Sequence, residues 1–253
     1  MAATRPPLFD AHLHVVDPQF PLVQNEGYLP PAFTVDDYLA RTQPLDLVGG
    51  AVVSGSFQAY DQTYLLAALE RLGPAFVGVT QLPPTVADED VRMLDVAGVR
   101  AVRVNVRRGG RETLAALDGL ARRVHELVGW HTELYVDSRD LPELLPVLSA
   151  LPQVVVDHLG LSADGLPHLL ELVATAGAKV KATGFSRGDL DVPAALRAVA
   201  DVDPTALMVG TDLPSTRAPR PFADADLDVV LDALGEEAAR AAFSGNAMAL
   251  YRP

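Results

Sequence analysis

The stretch Phe9-Asp10-Ala11-His12-Leu13-His14-Val15 sets the pattern from which the rest of the chain is read. Strand side chains alternate with a period of two, so Asp10, His12 and His14 are expected on one face and Phe9, Ala11, Leu13 and Val15 on the other. Two imidazoles then point the same way. Each offers a nitrogen lone pair when neutral and a hydrogen-bond donor otherwise, so the pair can hold a metal or polarise a substrate oxygen. Two polar residues on a solvated face would be the plainer account, but the strand is otherwise apolar and the chain has only six histidines.

Downstream lies a loop at 17–31 rich in Pro, Gln, Asn and Gly, of a length that in compact domains is often functional. Thr34 then caps a helix at 34–43, with Asp36 and Asp37 favourably placed in its first turn. From there one theme repeats. Apolar, β-branched runs at 48–56, 75–82, 99–106, 131–137, 154–159, 178–184 and 207–213 read as strands. Helical spacing follows them at 61–72, 88–97, 113–128, 141–151, 165–176 and 192–200, and 225–234 with 236–250 close the chain helically. No composition break marks a linker. Strict alternation argues a parallel sheet, and eight strand–helix units in 253 residues argue an α/β fold closed into a (β/α)8 TIM barrel, one domain over residues 1–253. No G-x-G-x-x-G follows a strand to favour an open dinucleotide-binding sheet.

Composition narrows the function. The net charge of −13 argues against nucleic acid or an anionic membrane surface as partner, while a few arginines in a cleft can still reverse the local potential for a small anionic substrate. The absence of cysteine removes disulfides and thiolate metal sites, leaving histidine and carboxylate as ligands. With no G-x-S-x-G elbow either, nucleophilic serine or cysteine catalysis is a poor fit. No apolar run approaches a membrane span and the N-terminus lacks a signal-peptide pattern, so a cytoplasmic protein is the expectation.

In such a barrel the site lies at the C-terminal ends of the strands. Those ends deliver His12 and His14; Ser54 and Ser56; Arg103 and Asn105; Glu133, Tyr135 and Asp137; Asp157 and His158; Lys181 through Ser186 and Arg187; and Thr211 with Asp212. On the fourth strand Val99, Ala101, Arg103 and Asn105 share a face, and Val102, Val104 and Val106 form the side that helices cover. Arg103 is therefore expected to point inward, to grip a substrate oxyanion or to pair with an internal carboxylate. On the sixth, Val154, Val156 and His158 share a face, which sends His158 inward and Asp157 outward. His125, His131 and His168 are set aside, Trp130 reads as packing at the barrel's base, and Arg111 as a solvated loop residue.

Four segments taken in order, Asp10-Ala11-His12-Leu13-His14, Gly98-Val99-Arg100-Ala101-Val102-Arg103, Val156-Asp157-His158-Leu159-Gly160 and Gly210-Thr211-Asp212-Leu213-Pro214, resemble the amidohydrolase-2 (amidohydrolase-related) family of TIM-barrel hydrolases. Within it the likeness is to the branch of 2-pyrone-4,6-dicarboxylate lactonase. The resemblance implies that His12, His14 and His158 line the site and that Asp212 is the general base that activates water. It implies substrate contacts for Arg103, Tyr135 and Arg187, with Ser56 and Tyr28 as looser matches and Arg107 or Arg108 as a further arginine. The chain departs from the family at Leu213-Pro214-Ser215, where Trp-Pro-His is common.

One divalent metal, Zn²⁺ or Mn²⁺, would be held by His12, His14, His158 and Asp212. The resemblance to the lactonase branch implies instead that the same residues work without a metal. Two metals are not expected, because the only lysines, Lys179 and Lys181, flank the seventh strand. The first expectation is hydrolysis of a small carboxylated lactone. A mononuclear metal-dependent amidohydrolase or nonoxidative decarboxylase is the alternative, and a non-catalytic barrel binding a small carboxylate is a third, disfavoured by a base beside histidines. The resemblance also makes a homodimer one option for assembly.

Overall fold

The structure, a computed structural model, describes residues 5–106 and 112–251. Eight strands lie in one sheet in sequence order, every neighbouring pair parallel: β1 (Leu8–Leu13), β2 (Leu47–Val53), β3 (Phe76–Thr80), β4 (Val99–Asn105), β5 (His131–Tyr135), β6 (Val154–Val156), β7 (Lys179–Ala182) and β8 (Leu207–Val209). Between and after them run α1 (Val35–Thr42), α2 (Thr63–Leu72), α3 (Asp88–Val96), α4 (Glu112–Val128), α5 (Leu141–Leu148), α6 (Leu166–Ala176), α7 (Val192–Val202), α8 (Ala225–Arg240) and α9 (Asn246–Tyr251). Thr34 caps α1 as expected, its hydroxyl accepting from Asp37 N–H while Asp37 accepts in return. Gly235 kinks α8 at φ 74°, which is why the last helical pattern divides there. Among the described residues no helix is long and apolar enough to cross a membrane.

The sheet curls into a nearly closed barrel that brings β8 back beside β1. Beyond the ladder proper, Asp212 N donates to His12 O (2.7 Å) and His14 N to Leu213 O (2.8 Å). Asp10 stitches the same seam: one carboxylate oxygen accepts from Thr211 N and His12 N, the other from Thr211 Oγ1 and Tyr38 Oη. Burial raises this carboxyl to about 6 even against those four donors. Gly210 allows the close approach, because a Cβ there would stand 2.6 Å from His12 N.

Three expectations about faces need correction. On β4 the register slips between Gly78 and Val79 of β3, so Val99 packs in the outer layer with Val102 while Ala101 faces inside; β1 and β6 depart as follows. Phe9 and Ala11 pack inside the barrel with Ala51, Val53, Val79, Ala101, Val155 and Met208, whereas Leu13 and Val15 pack outward with Tyr38 and Tyr64. The alternation therefore slips within β1, where the step from Asp10 to Leu13 faces the shorter step from Gly50 to Val52 on β2. This bulge turns His12 and His14 inward and leaves Asp10 facing Tyr38, not the histidines' side. On β6 it is Val155 that faces inside, and Val154 and Val156 join the helix-covered layer. Asp157 inherits the inner face, contrary to expectation. His158 is brought in beside it because its φ of 53° breaks the extended backbone.

Candidate active site

Past the ends of the strands, where the ladder no longer fixes the chain, the polar side chains converge. His14 Nδ1 lies 2.7 Å from the Val53 carbonyl, an atom that can only accept, so His14 carries its proton on Nδ1 and presents a lone pair at Nε2. That Nε2 stands 3.3 Å from His12 Nε2 and 3.7 Å from Asp212 Oδ1, with His12 Nε2 4.0 Å from the same carboxylate oxygen. His158 tilts against His12, ring centres 4.8 Å apart, and its Nδ1 lies 2.8 Å from Thr183 Oγ1. Arg187 Nε donates to Asp212 Oδ2 at 2.6 Å. Asp212 Oδ1 is buried and accepts no hydrogen bond among the described residues, an arrangement that is costly unless the atom has work to do.

The electrostatics follow from burial. Desolvation, reinforced by Lys181 near His12, Arg103 near His14 and Arg187 near His158, lowers all three imidazoles, His14 to about 3. They are neutral at physiological pH, so their approaches to Asp212 and Asp157 are not ion pairs despite the short distances. Burial raises Asp212 above the ordinary aspartate range even though Arg187 pulls the other way.

A second polar layer lies beneath. Lys181 on β7, fully buried, donates to Glu133 on β5 at 2.5 Å and lies 3.4 Å from His12 Nδ1 and 3.9 Å from Asp157 Oδ1. Glu133 also meets His131 Nε2 and Tyr251 Oη. Burial alone would raise Glu133, but Lys181 and His131 bring it down to about 2. With the ammonium donating to Nδ1, His12 carries its proton on Nε2 and directs it at the His14 lone pair. Arg103 Nε donates to Asp157 Oδ2 (2.9 Å) and Nη1 to the Ser54 carbonyl (3.0 Å). Arg103 thus fills the internal ion pair expected for it and lines the pocket as well.

Of the residues singled out in the sequence, His14, Tyr28, Ser56, Arg103, Tyr135, His158 and Arg187 line one cavity, and His12 and Asp212 lie buried below it. Asp137 instead pairs with Arg139. Arg107, Arg108 and Arg111 fall outside the described residues. Trp130 is buried and donates to Asp95, as a packing residue at the base should. Sequence reading brought Asp157 and Lys181 to the strand ends but gave them no role in the site, and it missed Arg217 in the pocket wall. A lysine on a strand of core residues was the available sign for Lys181, since lysine is almost never fully buried unpaired; Arg217 sits in a loop with no periodicity to place it.

The donor set suits a divalent metal. Ligand atoms of His12, His158 and Asp212 lie within 4.8 Å of one another, and imidazole nitrogens with a carboxylate oxygen match Zn²⁺ or Mn²⁺. The unpaired Asp212 Oδ1 belongs to this set. Use of His12 Nε2 as a ligand requires its proton on Nδ1, where Asp157 Oδ1 at 3.4 Å, itself without a hydrogen-bond partner among the described residues, can accept it. A second grouping, His12, Glu133 and Asp157, has the Lys181 ammonium against all three residues and is better read as an ion-pair network.

Comparison with known proteins places the chain in context. The profile of the amidohydrolase family matches residues 9–252. A 2-pyrone-4,6-dicarboxylate hydrolase of Comamonas testosteroni is 34% identical over 156 residues, 60% of this chain and 51% of that protein, so the match spans about half of that relative's length. A 4-sulfomuconolactone hydrolase of Rhizobium radiobacter is 28% identical over 231 residues, 81% of this chain and 75% of that one. Among solved structures, an Agrobacterium tumefaciens protein in its apo form superposes with a TM-score of 0.86 at 26% identity, covering 100% of this chain and 98% of its own.

Proposed function

The chain belongs to the amidohydrolase family, and from that premise we propose that it is a hydrolase that opens a small carboxylated lactone by attack of a water molecule activated by Asp212. The observation that carries this is Asp212 Oδ1, a buried carboxylate oxygen without a donor among the described residues, set against the Nε2 atoms of His12 and His14 at the floor of an arginine-lined pocket. A base at that place takes a proton from water as the water oxygen adds to the lactone carbonyl. The ring C–O bond then breaks, and the proton passes to the departing ring oxygen, giving a hydroxy acid. The neutral histidines orient water and carbonyl through hydrogen bonds, not as acids. Arg103 and Arg187 favour the negative charge that develops on the carbonyl oxygen, and with Tyr135, Ser56 and Tyr28 they hold the substrate's anionic groups.

The grouping of His12, His158 and Asp212, which leaves out the His14 expected as a fourth ligand although its Nε2 lies 3.7 Å from Asp212 Oδ1, supports a second reading, a mononuclear amidohydrolase or nonoxidative decarboxylase. A Zn²⁺ or Mn²⁺ held there would supply Lewis acidity and a bound water of lowered pKa. A small anionic substrate and independence from nucleic acid and membrane belong to the same proposal, supported by the net charge of −13 and the arginines of the pocket; a cytoplasmic location is proposed with them. The test is turnover of a panel of carboxylated lactones by protein assayed for metal before and after chelation. Turnover that survives chelation is expected. Turnover lost on chelation and restored by Zn²⁺ or Mn²⁺ would replace the first reading with the second, and no turnover in either state would overturn lactone hydrolysis.

A further inference from the structure

Two loops meet at the mouth of the pocket, one after β1 and one after β8, and both hold ordinary residues in the left-handed region. Glu26 has φ 50° in the first loop; Ser215 and Arg217 have φ 64° and 59° in the second. Non-glycine residues enter this region seldom, and such outliers gather at ligand clamps and switch segments. Here they converge on one side chain. Arg217 Nη1 donates to Glu26 Oε2 at 2.9 Å, Nη2 donates to the Asn25 carbonyl, and the guanidinium stacks on Tyr28 with Cζ 4.6 Å from the ring centre. Arg217 and Tyr28 face the cavity that Arg103 and Arg187 enter from below.

The three arginines are not equivalent. Arg103 and Arg187 are bound to Asp157 and Asp212, carboxylates 0% and 1% exposed. To strip either acid of its partner would leave a buried charge uncompensated. Glu26 is 65% exposed, so its attraction for Arg217 is screened by water, unlike those of the two buried pairs. Tyr28 meanwhile keeps the guanidinium in place through its ring face, which spares an incoming anion the ordering of a long side chain.

Resting on the reading of this pocket as a site for carboxylated lactones, we propose that Arg217 selects for a second carboxylate on the substrate, with Glu26 as the carboxylate it gives up. Arg103 and Arg187 serve the reacting end of the molecule. Arg217, at the mouth, takes the anionic group at the distal end by the two-pronged contact that guanidinium makes with a carboxylate. A lactone with one carboxylate would leave Arg217 to Glu26 and gain nothing from it.

The test compares binding of benzene-1,3-dicarboxylate and of its monoanionic look-alike 3-carbamoylbenzoate by isothermal calorimetry, in the wild-type chain, Arg217→Gln and Glu26→Gln, alongside turnover of mono- and dicarboxylated lactones. The affinity ratio of dianion to monoanion is expected to fall at least tenfold in Arg217→Gln and to rise in Glu26→Gln, which removes the competitor. A ratio unchanged in Arg217→Gln, or a ratio that falls in Glu26→Gln as it does in Arg217→Gln, would make the pair a mere strap between loops and overturn the proposal. Calorimetry separates this from the activity itself. A contrast in binding without lactone turnover would sink the hydrolase reading and keep Arg217 as an anion selector, whereas turnover without the contrast would do the reverse.

Discussion

Asp212 is held in a left-handed conformation, φ 58°, by a backbone bond to the strand that carries His12, and one of its oxygens is tied to Arg187. Asp212→Asn keeps that shape and an oxygen for Arg187 but removes the base, so kcat is expected to fall about 10²–10⁴-fold with the circular dichroism spectrum and melting temperature little changed. A near-normal rate would take the base role away from Asp212. The same residue sets the pH profile. It works ionised and its pKa is raised by burial, so kcat/KM is expected to drop on an acid limb lying above the ordinary aspartate value, with no further limb near pH 6.5 because the three histidines are already neutral there. At this scale the sequence was informative where a residue type is expensive to bury without purpose: the histidine pair, Asp212 and Arg103 were all legible. Asp157 was not, because its place depends on which parity of β6 faces inside, and Val154, Val155 and Val156 are alike in chemistry.

The same limit governs elements. All eight strands and their helices could be read from apolar periodicity, since the strands are short hydrophobic runs bounded by turn residues. The bulge in β1 could not, because period-two alternation has no mark for an added residue, and it is the bulge that turns the histidines inward while Asp10 faces Tyr38. The seam that β1 makes with β8 depends on Gly210. Gly210→Ala would press a Cβ against His12 N, a backbone atom that cannot turn aside. A loss of about 1–3 kcal/mol is expected, measured by urea denaturation, together with reduced kcat through displacement of His12 and Asp212. A fully stable, fully active Gly210→Ala would mean that the seam has more slack than its distances imply.

For the whole molecule, the buried titratable groups make stability depend on pH in a stated direction. His12, His14 and His158 have folded values well below the ordinary 6.5, so the unfolded chain binds protons first and stability falls as pH drops through about 6.5. Asp10 and Asp212 have raised folded values, which works the other way as pH falls from about 6. The histidines act first and outnumber them. Between pH 7.5 and 6.0 a net loss of about 2 kcal/mol, roughly 5 °C in melting temperature, is expected by scanning calorimetry; a rise over that interval would show that the imidazoles are charged in the fold.

The pocket is also ordered by depth. Arg217, Glu26 and Tyr28 belong to surface loops, while Lys181, Glu133, Asp157 and His12 belong to strands or their immediate ends; Arg217 binds Glu26, Asn25 and Tyr28, and Lys181 binds Glu133, His12 and Asp157. Inheritance can therefore act on the two separately. Drift or deliberate exchange in the loops can change which molecule is admitted while the proton chemistry beneath stays as it was, and a barrel of this build can acquire new substrates without first having to reinvent its reaction.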